Sequence, residues 1–176
     1  MKMFQTSDSC FDAFSQRVPV SRFARKPYSK FAHRFVILNT TGLEKFLGQW
    51  VLDVATCVYE QGLPPKYESH HLRMEGDELI IDMNRTDADG QIHNLTFRTR
   101  VDGQRMPFNG GPLADEISAV LNGGSELSVS AWRAGIELMF AERRISDDGS
   151  QMDLYQQVNL PDGSSPSNEA TFRRPQ

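Results

Sequence analysis

Two side chains on one strand could act together as an acid and a base. His70 and His71 are adjacent in a stretch that alternates like a β-strand, so they point to opposite faces. If Leu72 and Met74 mark the inner face, Glu68 and His70 share it, about 7 Å apart along the strand. A carboxylate and an imidazole at that spacing could share a substrate and move a proton. The alternative is that both side chains are solvated at the open end of the strand.

His93 is a third candidate for acid–base chemistry. It has the same parity as Leu95 and Phe97, whose bulk indicates an interior face, although a hairpin precedes it and the rim is the alternative. The candidate catalytic residues are therefore Glu68, His70 and His93. A metal site needs three or four converging ligands, and these three residues are the set that could combine into one. We expect no metal and no cofactor.

Two polar residues on later strands could contact a ligand. Gln156 is the polar member of a strand whose other alternate residues are apolar. It could orient a carbonyl or hydroxyl group of a ligand, or bond a neighbouring backbone group. Arg143 shares a face with Met139, Ala141 and Ile145. An inward arginine could hold a carboxylate with two hydrogen bonds. Because the opposite face carries Leu138 and Phe140, an exposed Arg143 is an equal alternative.

Apolar side chains on the predicted inner face would line a cavity for an apolar molecule. The residues predicted to bind a ligand are Met83, Phe97, Trp132, Arg143, Met152, Leu154 and Gln156. For the apolar members of this set, packing in an ordinary core is the alternative.

The chain carries none of the familiar catalytic motifs. It has no Gly-x-Ser-x-Gly elbow, no phosphate-binding glycine loop, no His-Glu-x-x-His and no Cys-x-x-Cys. An isomerase or cyclase needs few marked residues, because it can work mainly by holding a substrate in a reactive shape. Whether the chain is an enzyme therefore stays open.

Short strands position these residues from about residue 46 onward. Apolar and polar residues alternate, and turn signals such as Asp87-Ala88-Asp89-Gly90 recur along the chain. Strands joined by short hairpins form an antiparallel meander, and closing it removes the exposed edges. The sequence predicts an all-β, up-and-down antiparallel barrel of 8–10 strands over residues 46–176. The segment from Leu113 to Val120 fits either a short helix or a strand.

Residues 1–45 differ in character and are predicted to form a partly helical, basic extension. Phe11, Phe14 and Val18 fall on one helical face. Residues 1–43 carry seven Lys/Arg against two Asp/Glu, a balance of +5, and the remaining residues carry twelve against twenty-one, a balance of −9. The extension could pack on the acidic barrel, for example as a lid over its mouth. An organelle transit peptide and a contact with an anionic membrane are the alternatives.

Composition limits the cellular compartments and the classes of binding partner that suit this chain. The chain has 176 residues, a net charge of −4 and two cysteines in unrelated contexts, which favours one domain in a reducing compartment, here the cytoplasm. No apolar run is long enough to span a bilayer, and no secretory signal is recognised. The acidic body argues against nucleic-acid binding. A homodimer is compatible with such a chain.

The stretch Gly48-Gln49-Trp50 resembles the Gly-x-Trp motif that opens the first barrel strand in lipocalins. In that family the tryptophan closes one end of the barrel and an arginine near the last strand packs across it. The resemblance implies that Arg173 or Arg174 is the counterpart here.

Residues 46–176 also resemble poorly characterised bacterial lipocalin-like (calycin) domains. The shared elements are a Gly-x-Trp-x-Leu-Asp start, a Tyr-x-x-Gly-x-Pro-Pro-Lys stretch from Tyr59 to Lys66, and hairpins at Asp87–Gly90 and Ser146–Gly149. The resemblance implies the fold and an apolar cavity, and no reaction.

Two uses of such a barrel follow, and a third is weaker. The first is binding of a small apolar organic molecule in the barrel. The second is a cofactor-independent isomerase or cyclase of a natural-product type, with Glu68, His70 or Gln156 as the acid–base or polarising group. The third is an interaction protein that uses the basic arm.

Overall fold

The fold is a single curved sheet of ten antiparallel strands. A computed structural model of the chain describes residues 41–108 and 114–175. After a 3-10 turn at Leu43–Lys45 come the strands β1 (Gly48–Tyr59), β2 (Tyr67–Glu75), β3 (Glu78–Thr86), β4 (Ile92–Arg100), β5 (Met106–Pro107), β6 (Glu116–Asn122), β7 (Glu126–Arg133), β8 (Ile136–Ile145), β9 (Gln151–Val158) and β10 (Ser167–Arg173). The described residues contain no α-helix.

The strands form a nearly closed up-and-down barrel. Their order in the sheet is β4-β3-β2-β1-β10-β9-β8-β7-β6-β5, so each strand lies beside its sequence neighbour and β10 returns to pair with β1. β4 and β6 come into contact at the remaining seam, where the Gly103 amide donates to the Ala119 carbonyl at 2.8 Å. The predicted all-β barrel of 8–10 strands is confirmed. The partly helical extension falls largely on residues 1–40, which lie outside the described part of the chain.

Alternation along each strand sorts the side chains into an inner and an outer face. On β6, Ile117 and Ala119 are buried inside while Ser118 between them is half-exposed. The segment that was ambiguous between helix and strand is therefore a strand from Glu116 onward.

One end of the barrel is closed by Trp50. Its indole is fully buried and its Nε1–H donates to the Phe46 carbonyl at 2.8 Å. The guanidinium of Arg174 lies 4.2 Å from the centre of the indole ring and donates to the carbonyls of Lys45 at 2.9 Å and Leu47 at 3.1 Å. Arg174 is thus the arginine that packs across the tryptophan, whereas Arg173 is exposed and pairs with an aspartate on β1.

The segment before β1 is held against this closed end. Leu43 and Phe46 are buried with Trp50 in the main core. Gly42 approaches the β6–β7 turn so closely that a Cβ atom there would lie 2.2 Å from the Gly124 carbonyl oxygen, and its φ of 103° is itself a glycine conformation. The barrel therefore has an apolar floor, and its polar interior groups lie above it.

Candidate functional site

Strand β2 places a carboxylate and an imidazole inside the barrel. Glu68, His70 and Leu72 alternate on its inner face and are buried, while Met74 at the lower end of the strand is 36% exposed. The strands on either side fix the register, with His70 opposite Trp50 on β1 and opposite Met83 on β3. The expectation that Glu68 and His70 share the inner face is met, and the alternative that both are solvated is wrong.

Glu68 and His70 contact each other directly. The His70 Nε2 atom lies 2.7 Å from Glu68 Oε1, and both side chains are buried. The imidazole also stacks on the ring of Phe172 from β10, with the ring centres 4.5 Å apart. The pair is thus fixed by a strand-spaced hydrogen bond on one side and an aromatic contact on the other.

Burial and neighbouring charges set the protonation of this pair. Burial lowers the pKa of His70, the hydrogen bond to Glu68 opposes that shift, and two arginines lower the pKa further, leaving it below its usual value. For Glu68, burial would raise the pKa, but the hydrogen bond from His70 and the arginine charges lower it below its usual value. The favoured state is therefore a neutral His70 whose Nε2–H donates to an ionised Glu68.

Two arginines from opposite parts of the barrel face this carboxylate. Arg85 is the register partner of Glu68 on β3, and its Nη1 lies 3.8 Å from Glu68 Oε2. Arg143 comes from β8, which three strands separate from β2 in the sheet. Arg143 is only 2% exposed. Of the two alternatives given for its side chain, the one that points into the barrel is therefore correct.

Arg143 lacks a direct partner. Neither an ion pair nor a hydrogen bond from its Nε or Nη1 to any residue in the described part of the chain is found. Burial lowers its pKa to about 10, and the charge of Glu68 opposes that shift. The guanidinium therefore remains protonated at neutral pH. Leaving a buried charge without its partner commonly costs about 3–5 kcal/mol, so Arg143 is a poorly compensated charge within the described part of the barrel.

Polar groups continue the inner face on β9 and β10. Asn168 is buried, and its Oδ1 has no hydrogen-bond partner within residues 41–108 and 114–175. Gln156, its register partner on β9, is half-buried and also faces Ala141 on β8. The predicted inward position of Gln156 agrees with this register.

Part of the apolar inner wall is not completely buried. Met83, Leu95 and Leu154 pack against the core from the inner face, yet each is only half-buried. Phe97 and Met152, which were also predicted to line a cavity, are buried members of the core itself. The half-buried residues belong to the level of Glu68 and His70, and the fully packed ones extend toward Trp50.

Trp132 does not lie on the inner face. On β7, Val129 and Ala131 are buried on the inner face, so the regular alternation of the strand puts Trp132 on the outer face. The indole Nε1–H then donates to the hydroxyl of Ser118 at 3.3 Å, and Arg105 stacks on its ring at 3.6 Å. Ser118 belongs to the outer face of β6, so the prediction that Trp132 lines the cavity is wrong.

His93 lies beside Arg85, its register partner on β3. Its Nε2 lies 2.9 Å from an oxygen of Asp87 in the β3–β4 turn, and its side chain is about one-third exposed. The contact with Asp87 engages Nε2, and Arg85 lies between His93 on β4 and Glu68 on β2 in the sheet. Within the described ranges no group of three or more His, Cys, Asp or Glu side chains is placed to hold a metal ion.

Three interior residues escaped the sequence predictions: Arg85, Asn168 and Phe172. The alternation of Leu79, Ile81 and Met83 on β3 continues to Arg85, so the signal for its inward position was present. Asn168 and Phe172 carry a weaker signal, since the short strand β10 offers few alternate positions.

Comparisons with known proteins identify the fold. A scan against protein-family models finds no matching family, and a search of curated proteins finds no match. Among solved structures, lipid binding protein 8 of Caenorhabditis elegans superposes with a TM-score of 0.54 at 8% identity, covering 79% of this chain and 100% of that one. A protein of unknown function from the DUF3598 family of Nostoc punctiforme gives 0.51 at 11% identity, covering 76% of this chain and 49% of that one.

A further match is the zebrafish ileal bile acid-binding protein, with a TM-score of 0.47, 15% identity, and coverage of 74% of this chain and 99% of that one. The two superpositions with TM-scores above 0.5 show a shared fold, and that fold agrees with the lipocalin-like barrel that the Gly-x-Trp motif implied. Among residues 41–108 and 114–175, no helix has the length and apolar composition needed to cross a membrane.

Proposed function

We propose that the barrel binds a small apolar organic molecule in its interior. The observation that carries this proposal is the half-buried state of Met83, Leu95 and Leu154 on the inner face, where a filled core would bury them completely. Apolar walls with a few polar groups are the usual make-up of a ligand cavity. The likeness to lipid binding protein 8, whose name states a lipid ligand, supports the same use of the fold.

Binding is tested with a neutral, solvent-sensitive dye such as Nile red and a substitution that fills the interior. Leu154→Trp adds bulk to the inner face of β9, and Tyr155→Trp adds an indole at the neighbouring, half-exposed outer position. We expect the wild-type protein and Tyr155→Trp to bind the dye and Leu154→Trp to bind it about tenfold more weakly. Equal affinity in both variants, or no dye binding by the wild type, would contradict the proposal.

The remaining expectations about use stay proposals. A lid formed by residues 1–45, a cytoplasmic location and a homodimer are compatible with this function. Of the predicted ligand-binding residues, we retain Met83, Arg143, Leu154 and Gln156 as wall residues, while Phe97 and Met152 would shape the floor from the core.

A second candidate function is the cofactor-independent isomerase or cyclase, and the direct contact of Glu68 with His70 favours it. An ionised Glu68 that accepts from Nε2 leaves Nδ1 of His70 with a lone pair that could remove a proton. Ring opening of 5-nitrobenzisoxazole tests for such a base: the carbon-bound proton goes to the base, the N–O bond breaks, and a coloured phenolate forms. A rate above buffer that His70→Phe abolishes and His71→Phe retains would support it; no rate above buffer would count against it.

A further inference from the structure

Arg143 provides a cation inside the barrel whose nearest carboxylate is already engaged. Glu68 accepts from His70 at 2.7 Å and faces Arg85 at 3.8 Å. No ion pair within 4 Å joins Glu68 to Arg143 in the described part of the chain, although the Glu68 charge acts on Arg143 from further away. The guanidinium is thus buried, charged and available to one further anion.

The surroundings of Arg143 suit an anion that carries an apolar chain. Its register partners are Leu127 on β7, which is fully buried, and Leu154 on β9, which is half-buried. Met83 is the register partner of His70 and lies at the same polar layer. A head group beside Arg143 would therefore extend its chain along the half-buried apolar wall.

We infer that the barrel's ligand is a monocarboxylate with an apolar chain, whose carboxylate pairs with Arg143. This inference rests on the proposed binding function and adds the chemical class of the ligand. A planar guanidinium can hold both oxygens of a carboxylate with parallel hydrogen bonds, and its Nε and Nη1 have no partner among the described residues. One uncompensated guanidinium matches one negative charge, so alcohols and esters with the same chain would leave Arg143 unpaired.

The experiment measures displacement of Nile red by dodecanoate, dodecanol and methyl dodecanoate from delipidated full-length protein. We expect the wild type to bind dodecanoate roughly tenfold to a hundredfold more tightly than the two neutral compounds. Arg143→Met keeps a flexible, unbranched side chain, although a shorter one, and removes the charge, so it should abolish that preference. Arg144→Met is the matched control, because Arg144 is exposed and pairs with Glu126 and Glu142 on the outer face.

A second variant covers the case in which Arg143→Met does not fold. Glu68→Gln removes the resident negative charge near Arg143, so the ratio of the affinity for dodecanoate to that for dodecanol should rise about tenfold. Sodium chloride and inorganic phosphate serve as chain-free anions. Displacement of dodecanoate by either at millimolar concentration, without any preference for the chain, would show an inorganic anion site and overturn the inference.

The outcomes separate the two proposals. If the dye does not bind, the proposed binding function fails. If the dye binds and dodecanoate shows no advantage over dodecanol, or if Arg143→Met retains the advantage, the carboxylate inference alone is overturned.

Discussion

At the scale of single residues, the interior is governed by a competition between burial and hydrogen bonding. His70 is fully buried, which favours the neutral ring, while Glu68 remains ionised because His70 donates to it and two arginines lie nearby. The polar layer is therefore held together by an ionised acceptor and a neutral donor. Protonating either of them weakens that arrangement.

The first prediction concerns the pH dependence of stability. Because the pKa of His70 is lower in the folded state than its ordinary value of 6.5, the unfolded chain binds protons more readily as the pH falls through 6.5. The lowered pKa of Glu68 acts in the same direction below about 4.5. The free energy of unfolding should thus be greatest above pH 6.5 and fall on acidification, as measured by urea denaturation at pH 7.5, 6.0 and 5.0.

The contribution of His70 is isolated by comparing two neighbouring histidines. His70→Met should remove the decrease between pH 7.5 and 6.0, whereas His71→Gln, at the exposed neighbouring position, should retain it. A decrease of equal size in His70→Met would show that another group is responsible.

Residue-scale predictions from sequence succeeded where alternation was long and regular. The parity of β2 correctly placed Glu68 and His70 on one face, because nine residues of unbroken strand fix the pleat. Trp132 is the exception, because the alternation of Val129 and Ala131 already indicates an outer position for it, so the signal against a lining role was present in the sequence. The unpaired state of Arg143 could not be predicted, since it depends on which distant strand supplies Glu68 and which partners that carboxylate already has.

At the scale of elements, the closed end is held together by the segment before β1 and the segment after β10. Arg174, just after β10, bonds the carbonyls of Lys45 and Leu47 and covers the ring of Trp50. The first and last elements are thereby fastened to each other. The Gly-x-Trp motif was sufficient to predict this contact, although the choice between two adjacent arginines required the register of β10.

The second prediction compares those two arginines. Arg174→Ala should lower the free energy of unfolding by about 1–2 kcal/mol, because it removes hydrogen bonds from a charged group and a cation–π contact that are both partly exposed. Arg173→Ala, which removes an exposed ion pair with Asp53, should lower it by less than about 1 kcal/mol. Urea denaturation at neutral pH measures both. A larger effect at Arg173 would contradict the assignment of the closing arginine.

At the scale of the whole molecule, the strands differ in how completely they are paired. The sheet ends at β4 on one side and β5 on the other, while β1 and β10 lie in its middle with partners on both edges. The all-β class and the meander were predictable, because alternation and hairpin signals recur throughout residues 46–176. The position of the seam was not predictable, because local sequence patterns do not show which two strands remain without a hydrogen-bonded ladder between them.

The third prediction uses that asymmetry. Backbone amides of β4 should exchange with deuterium earlier than those of β10, because β4 has a strand ladder on one edge only within the described residues and β10 has one on each. Hydrogen–deuterium exchange with peptide-level mass spectrometry measures the difference. Equal protection of the two strands would mean that the seam is covered.

Adding dodecanoate should slow exchange on β8 and β9 if the ligand lies beside Arg143.

The pairing of β1 with β10 has a consequence for how the chain is made. Arg173 and Asp53, which join these strands, are 120 residues apart in the chain. During synthesis on the ribosome, β1 emerges early and must wait for β10, with an unsatisfied strand edge exposed in the meantime. The nascent chain therefore exposes an unpaired edge of β1 until β10 has been made and can pair with it.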